Sequence, residues 1–197
     1  MTSFVGDEIK HVLLTGRPGI GKTTLIKKIY DSLNIKGVGA KGFFTEEVCE
    51  SGRRIGFDIV ALDGRRGELA RVRGKQIERS HPEYCVGQYI VNVKSFEAVA
   101  LPVFCDVGRP GHVLVVDEIG KMELFSKKFK DCVSAAFSSP KATILGTIPI
   151  AKQRPIQFVE ELRTRPDVKV ITVDYNNRNG LENEVSEMLI SALKTVH

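Results

Sequence analysis

The residues with the plainest chemical purpose are Gly16, Arg17, Pro18, Gly19, Ile20, Gly21, Lys22 and Thr23, which fit the pattern G-x-x-x-x-G-K-[ST]. Glycine lets a backbone wrap so that successive N–H groups face one anion, and a phosphate chain suits that spacing. The Lys22 ammonium is a point charge for the β- and γ-phosphates and is counted with the catalytic groups. The Thr23 hydroxyl can ligate Mg²⁺, and Thr24 is a further contact to the α-phosphate. A helix opening near Lys22 adds the positive end of its dipole.

A second stretch, "VLVVDEIGKMEL" at 113–124, carries the acidic half of the chemistry. Its four apolar residues end at Val116, which borders the nucleotide, and deliver Asp117 to a strand's C-terminal end, where ligands bind in open α/β sheets. Asp117 is expected to hold Mg²⁺ on the side away from Thr23. Alternation along the strand turns Glu118 elsewhere, toward the γ-phosphate, where a carboxylate can orient or deprotonate an in-line water. The same letters fit D-x-x-G, a switch motif of GTPases, yet the sequence holds no N-K-x-D, and "NNRN" at 176–179 is not one. A guanine-only switch is therefore disfavoured and loose base selectivity expected. Glu123 is placed in the first turn of a helix from about residue 122, where the dipole favours an anion, ahead of a role as a second base.

Arg53, Arg54, Arg65, Arg66, Arg71, Arg73 and Arg79 crowd the middle of the chain. Most read as solvated strand and turn residues, although one swinging over the γ-phosphate would serve as an arginine finger. Arg178 follows the last predicted strand at the edge where the phosphate loop should lie, against base or phosphate.

These residues need an α/β frame. "HVLLTG" (11–16), "HVLVVDE" (112–118), "ATILGTI" (142–148) and "VKVITV" (168–173) are short apolar runs of the kind that form buried parallel strands. Leu25, Ile26, Ile29 and Leu33 fall on one helical face, as do Phe129, Cys132, Val133, Ala136 and Phe137, and Leu181, Val185, Met188, Leu189 and Ala192. A short helix is predicted over 95–104. Residues 42–93 are β-rich and punctuated by glycine, and "LDGRRGEL" has hairpin chemistry, so an antiparallel meander is expected there. The expectation is one domain over 1–197: a mostly parallel sheet with helices on both faces and the meander attached.

The chain has 197 residues, a net charge of +5 and four cysteines without metal-type spacing. Reduced thiols and the absence of a secretory signal predict a cytoplasmic protein, with the nucleus equally compatible. No run approaches a membrane span. The mild basicity suits a small polyanion, and no Phe/Tyr–basic platform for nucleic acid is evident.

"TGRPGIGKTTLI", "GFFTEEV", "RRIGFDIVAL", "VGQYIVNV", "VVDEIGKMELF" and "ILGTIP" occur in this order, and together they resemble the thermophilic-type NTPase family. The likeness runs from about residue 10 to near the C-terminus. It implies a RecA-like P-loop fold and slow, Mg²⁺-dependent hydrolysis of nucleoside triphosphates, including ATP, GTP and CTP, to diphosphates; separately, a monomer is expected. It carries phosphate binding to Gly16–Thr24, magnesium to Asp117 and catalysis to Glu118. The family has proline or another residue at the place of Arg17, so that side chain is read as incidental. Two rival readings share the loop: a kinase passing the γ-phosphate to a small molecule or nucleotide, and a nucleotide-binding regulatory module.

Overall fold

A computed structural model describes residues 8–73, 84–151 and 153–195; Arg79 lies outside them. Strand β1 (His11–Thr15) leads into helix α1 (Lys22–Ile35) and strand β2 (Gly39–Glu50). Strands β3 (Arg53–Ala61), β4 (Arg66–Val72), β5 (Cys85–Val86) and β6 (Tyr89–Val91) precede helix α2 (Val93–Ala100). Then come β7 (His112–Val116), α3 (Lys127–Ser138), β8 (Thr143–Thr147), α4 (Gln157–Arg163), β9 (Val168–Thr172) and α5 (Leu181–Thr195).

Among the described residues, nine strands form one sheet in the order β5-β6-β4-β3-β2-β7-β8-β1-β9. The half from β2 to β9 is parallel. The half from β3 to β5 is an antiparallel wing. Strand β2 belongs to both: Gly39–Phe43 pairs in parallel with β7, and Phe43–Glu50 pairs antiparallel with β3. The described antiparallel pairings run from Phe43 to Val91.

Every residue of β1 and β8 is buried, as an inner strand covered on both faces requires. One face packs Leu25, Ile26 and Ile29 of α1 and Val185 and Leu189 of α5. The other packs α2, α3 and α4 through Phe96, Phe129, Val133, Phe158 and Val159. Phe129 lies at the centre of an aromatic cluster, 5.1 Å from Phe96, 5.8 Å from Phe104 and 6.0 Å from Phe43 between ring centroids. Phe43 anchors the turning point of β2, and its carbonyl accepts the Asp117 N–H at 3.3 Å. The core thus fixes one end of the chemistry directly.

Two elements differ from expectation. Helix α4 was not signalled, because its seven residues are too short for a clear helical period, although Phe158, Val159 and Leu162 do share its buried side. No α-helix starts near residue 122. Residues 123–125 form a 3₁₀ turn, and α3 begins at Lys127 because Ser126 caps it, its hydroxyl accepting the Phe129 N–H at 3.0 Å.

Candidate active site

The connection leaving β1 goes to α1 on one face, and the one leaving its neighbour β8 goes to α4 on the other. Chains that part in this way open a crevice at the C-terminal ends of their strands. The phosphate loop lies there. Gly21 caps α1 at φ 105°, a left-handed conformation that favours glycine. Gly16 is pressed against the chain after β9: a Cβ on it would lie 2.6 Å from the Val173 carbonyl oxygen. Lys22 folds over the loop, its Nζ donating to the Gly16 carbonyl at 3.3 Å and standing 3.7 Å from Glu118 Oε2.

Strand β7 stops at Val116, so Asp117 and Glu118 lie on the loop beyond it and not in the pleat; the peptide bond between them is cis. Because β7 has already ended, strand alternation does not set the direction of Glu118. Asp117 is 1% exposed and accepts hydrogen bonds from the Thr23 hydroxyl at 2.7 Å and the Thr147 hydroxyl at 2.5 Å. Burial pushes its pKa up, opposed by those hydroxyls, the Thr45 backbone and Lys22. A buried carboxylate beside the Thr23 oxygen is a hard, all-oxygen donor set. Among the described residues no group of three or more His, Cys, Asp or Glu side chains could hold a metal. Two protein oxygens, with phosphates and water to complete the shell, fit Mg²⁺.

Glu123 sits in the 3₁₀ turn, not on a helix end. It is 5% exposed, and burial together with the Glu118 carboxylate pushes its pKa up to about 8. The two acids converge over Gly120: a Cβ there would lie 2.6 Å from Glu118 Oε1 and 3.0 Å from Glu123 Oε2. The glycine of the D-x-x-G pattern thus makes room for two carboxyl groups.

A cleft of about 560 Å³ opens beside the loop. Gly16, Pro18, Gly19, Lys22, Thr23 and Glu118 line one end. Phe57 and Leu69 of the wing, Met122, Ile156 just before α4 and Val159 on α4 line the cleft as well. The remaining expected residues lie elsewhere. Ile20 and Val116 are buried in the core, so their side chains pack and do not face a nucleotide. Arg17 and Thr24 are exposed. Arg178 is outside the cleft, donating to the Ile20 carbonyl at 3.4 Å.

Of the middle arginines, Arg54 reaches the cleft, held at 2.6 Å by Glu47 and at 3.0 Å by the Tyr89 hydroxyl. Arg65 pairs with Asp63, and Arg66 and Arg71 pair with Asp58. Sequence reasoning missed Lys121 and Arg154, which line the cleft, and Thr147, which holds Asp117. A threonine ending the apolar run of β8, one strand from Asp117, was the available signal for Thr147. Arg154 follows β8 on the loop-bearing edge, where functional residues collect.

Residues 11–186 match a family described as NTPase. The chain belongs to this nucleoside-triphosphatase family. It is 50% identical over 189 residues to the human cancer-related nucleoside-triphosphatase, covering 94% of this chain and 99% of that one. It is 42% identical to nucleoside-triphosphatase THEP1 of Thermotoga sp. (strain RQ2), covering 90% of this chain and 94% of that one. The fold agrees. The solution structure of a human cancer-related nucleoside triphosphatase superposes with a TM-score of 0.80 at 49% identity, covering 92% of this chain and 98% of that one. The crystal structure of THEP1 from Aquifex aeolicus gives 0.77 at 36% identity, covering 91% and 98%. This is an enzyme family with a P-loop α/β fold, as the sequence motifs imply. Among the described residues, no helix is long and apolar enough to cross a membrane.

Proposed function

We propose that this enzyme hydrolyses nucleoside triphosphates to diphosphates and inorganic phosphate, with Mg²⁺ and without strict base preference. The observation that carries the reading is the convergence of Lys22, Thr23, Asp117 and Glu118 at one strand edge. The loop N–H groups and Lys22 hold the β- and γ-phosphates, and Lys22 balances the charge that grows on the β–γ bridging oxygen. Thr23 and Asp117 would hold Mg²⁺, which supplies charge neutralisation on the phosphate oxygens. Glu118 orients a water in line with the γ-phosphorus and takes its proton as the P–O bond to the diphosphate breaks. Arg54 and Arg154 line the cleft, which supports a role for one of them against the γ-phosphate. Absence of an N-K-x-D element supports use of ATP, GTP and CTP alike, and the family likeness supports slow turnover.

A second reading, phosphoryl transfer to a small-molecule acceptor, is favoured by one observation: at about 560 Å³ the cleft that Glu118 lines is far larger than a water needs, and Phe57, Leu69, Met122 and Ile156 share its lining. Purified protein with Mg²⁺ and γ-labelled ATP separates the two. Labelled inorganic phosphate released without any acceptor supports hydrolysis. Label that leaves ATP only when an acceptor is added supports transfer.

A further inference from the structure

A triphosphate bound in this loop has a direction. Asp117 and Glu118 follow β7 directly, so the γ-phosphate faces the β7–β8 side of β1. The nucleoside, at the opposite end, is directed to the other neighbour of β1, which is β9. The segment after β9, residues 173–180, lies against the phosphate loop through the Gly16–Val173 contact and the Arg178 bond to Ile20.

That segment is built to hold a shape. Asp174 Oδ1 accepts the N–H groups of Asn176 and Asn177 at 2.7 and 3.0 Å. Asn177 returns the bond, its Oδ1 accepting the Asp174 N–H at 2.9 Å while its Nδ2 donates to the Thr172 carbonyl at 2.8 Å. These polar side chains are engaged with the backbone and not directed to a ligand's edge. Tyr175 remains 71% exposed, with the Arg178 guanidinium 5.0 Å from its ring centroid. An aromatic ring held in water next to a nucleotide loop, with a planar cation over it, is a stacking surface.

We propose that Tyr175 and Arg178 form the nucleobase subsite, the base stacking on the Tyr175 ring and the Arg178 plane. The proposal rests on the phosphate-loop reading given above. Every base has a π-face, so such a subsite holds purine and pyrimidine nucleotides without reading their edges. Tyr175 carried no sequence signal, since an isolated tyrosine in a loop is ordinary.

The chain contains no tryptophan, so Tyr175→Trp introduces a single indole reporter at the subsite. Its fluorescence is expected to be quenched by Mg²⁺ with ATP, GTP or CTP, and not by inorganic tripolyphosphate, which lacks a base. Tyr175→Ala is expected to raise Kd for the three nucleotides by a similar factor, about 5- to 100-fold, the usual effect of losing a base–aromatic stack. Its Kd for tripolyphosphate should equal that of wild type. A Tyr175→Ala ratio of ATP to tripolyphosphate affinity equal to the wild-type ratio would overturn the proposal, as would identical quenching by ATP and tripolyphosphate. The parent reading fails differently: Lys22→Ala would leave tripolyphosphate affinity unchanged, whatever the indole reports.

Discussion

The two halves of the sheet solve different problems. In the parallel half, inner strands such as β1 and β8 are buried on both faces, and most of their side chains pack. The proposed chemistry gathers beyond the ends of these strands, at Lys22 and Thr23 in the first turn of α1, at Asp117 and at Thr147. The antiparallel wing is thinner, and its strands mix buried and exposed residues. There charge does structural work: Asp58 on β3 is 8% exposed and takes bonds from Arg66 at 2.7 Å and Arg71 at 2.5 Å. Arg66 continues the chain of charge to Glu46, which Lys27 of α1 also holds. Apolar burial positions the chemistry in one half, and an ion-pair network braces the cleft wall in the other.

If this division is right, damage should differ in kind as well as size. Lys22→Ala, in the parallel half, is expected to cut phosphate release by roughly 10²–10³-fold, the usual cost of removing one preorganised electrostatic partner. Calorimetric affinity for a non-hydrolysable triphosphate should fall with it, while affinity for the bare nucleoside should not. Asp117→Asn comes next. The Mg²⁺ concentration for half-maximal activity should rise about tenfold or more, read from an Mg²⁺ titration at fixed ATP. In the wing, Asp58→Ala leaves two guanidinium groups without their shared partner. Thermal unfolding should then show a loss of about 1–3 kcal/mol, with the parallel half's affinity for nucleotide close to wild type.

A pH slope separates a further pair of proteins. Glu123 has a folded pKa of about 8 against 4.5 in the unfolded chain, raised first by burial and then by Glu118. Between these values the native state binds the extra proton, so its contribution to stability is full below about pH 4.5 and is lost as pH rises through about 8. Glu123→Gln cannot titrate. Without added divalent ion, Tm of wild type should therefore fall more steeply than that of the variant between about pH 5 and about pH 8. Asp117 shifts in the same direction but is present in both proteins, so their difference reports Glu123 together with its coupling to Glu118 and Asp117.

The same division explains what could be read from the sequence. Strands buried on both faces leave unbroken apolar runs, so β1, β7 and β8 were legible, and with them the residues at their ends. The glycine loop was legible because phosphate binding demands fixed spacing. Residues that act across chain-distant segments left no local mark. Thr147 meets Asp117 through strand order, Arg154 reaches the cleft from a loop, and Glu123 meets Glu118 only because Gly120 lacks a side chain. Val116 and Ile20 lie in binding motifs yet face the core, since a motif's spacing does not say which side of the chain each member presents.

In the proposed mechanism Glu118 does chemistry while its neighbours bind. Glu118→Gln keeps the shape and removes the basic carboxylate, and Gly120 still accommodates it. Single-turnover release of labelled phosphate from γ-labelled ATP, measured beside the affinity for Mg²⁺–ATP, tests this directly. The expected result is a fall in hydrolysis of roughly 10²–10⁴-fold with affinity near wild type, so that bound ATP persists unhydrolysed. A Glu118→Gln enzyme that keeps more than about half of wild-type kcat would contradict the account and move the catalytic role to another group lining the cleft.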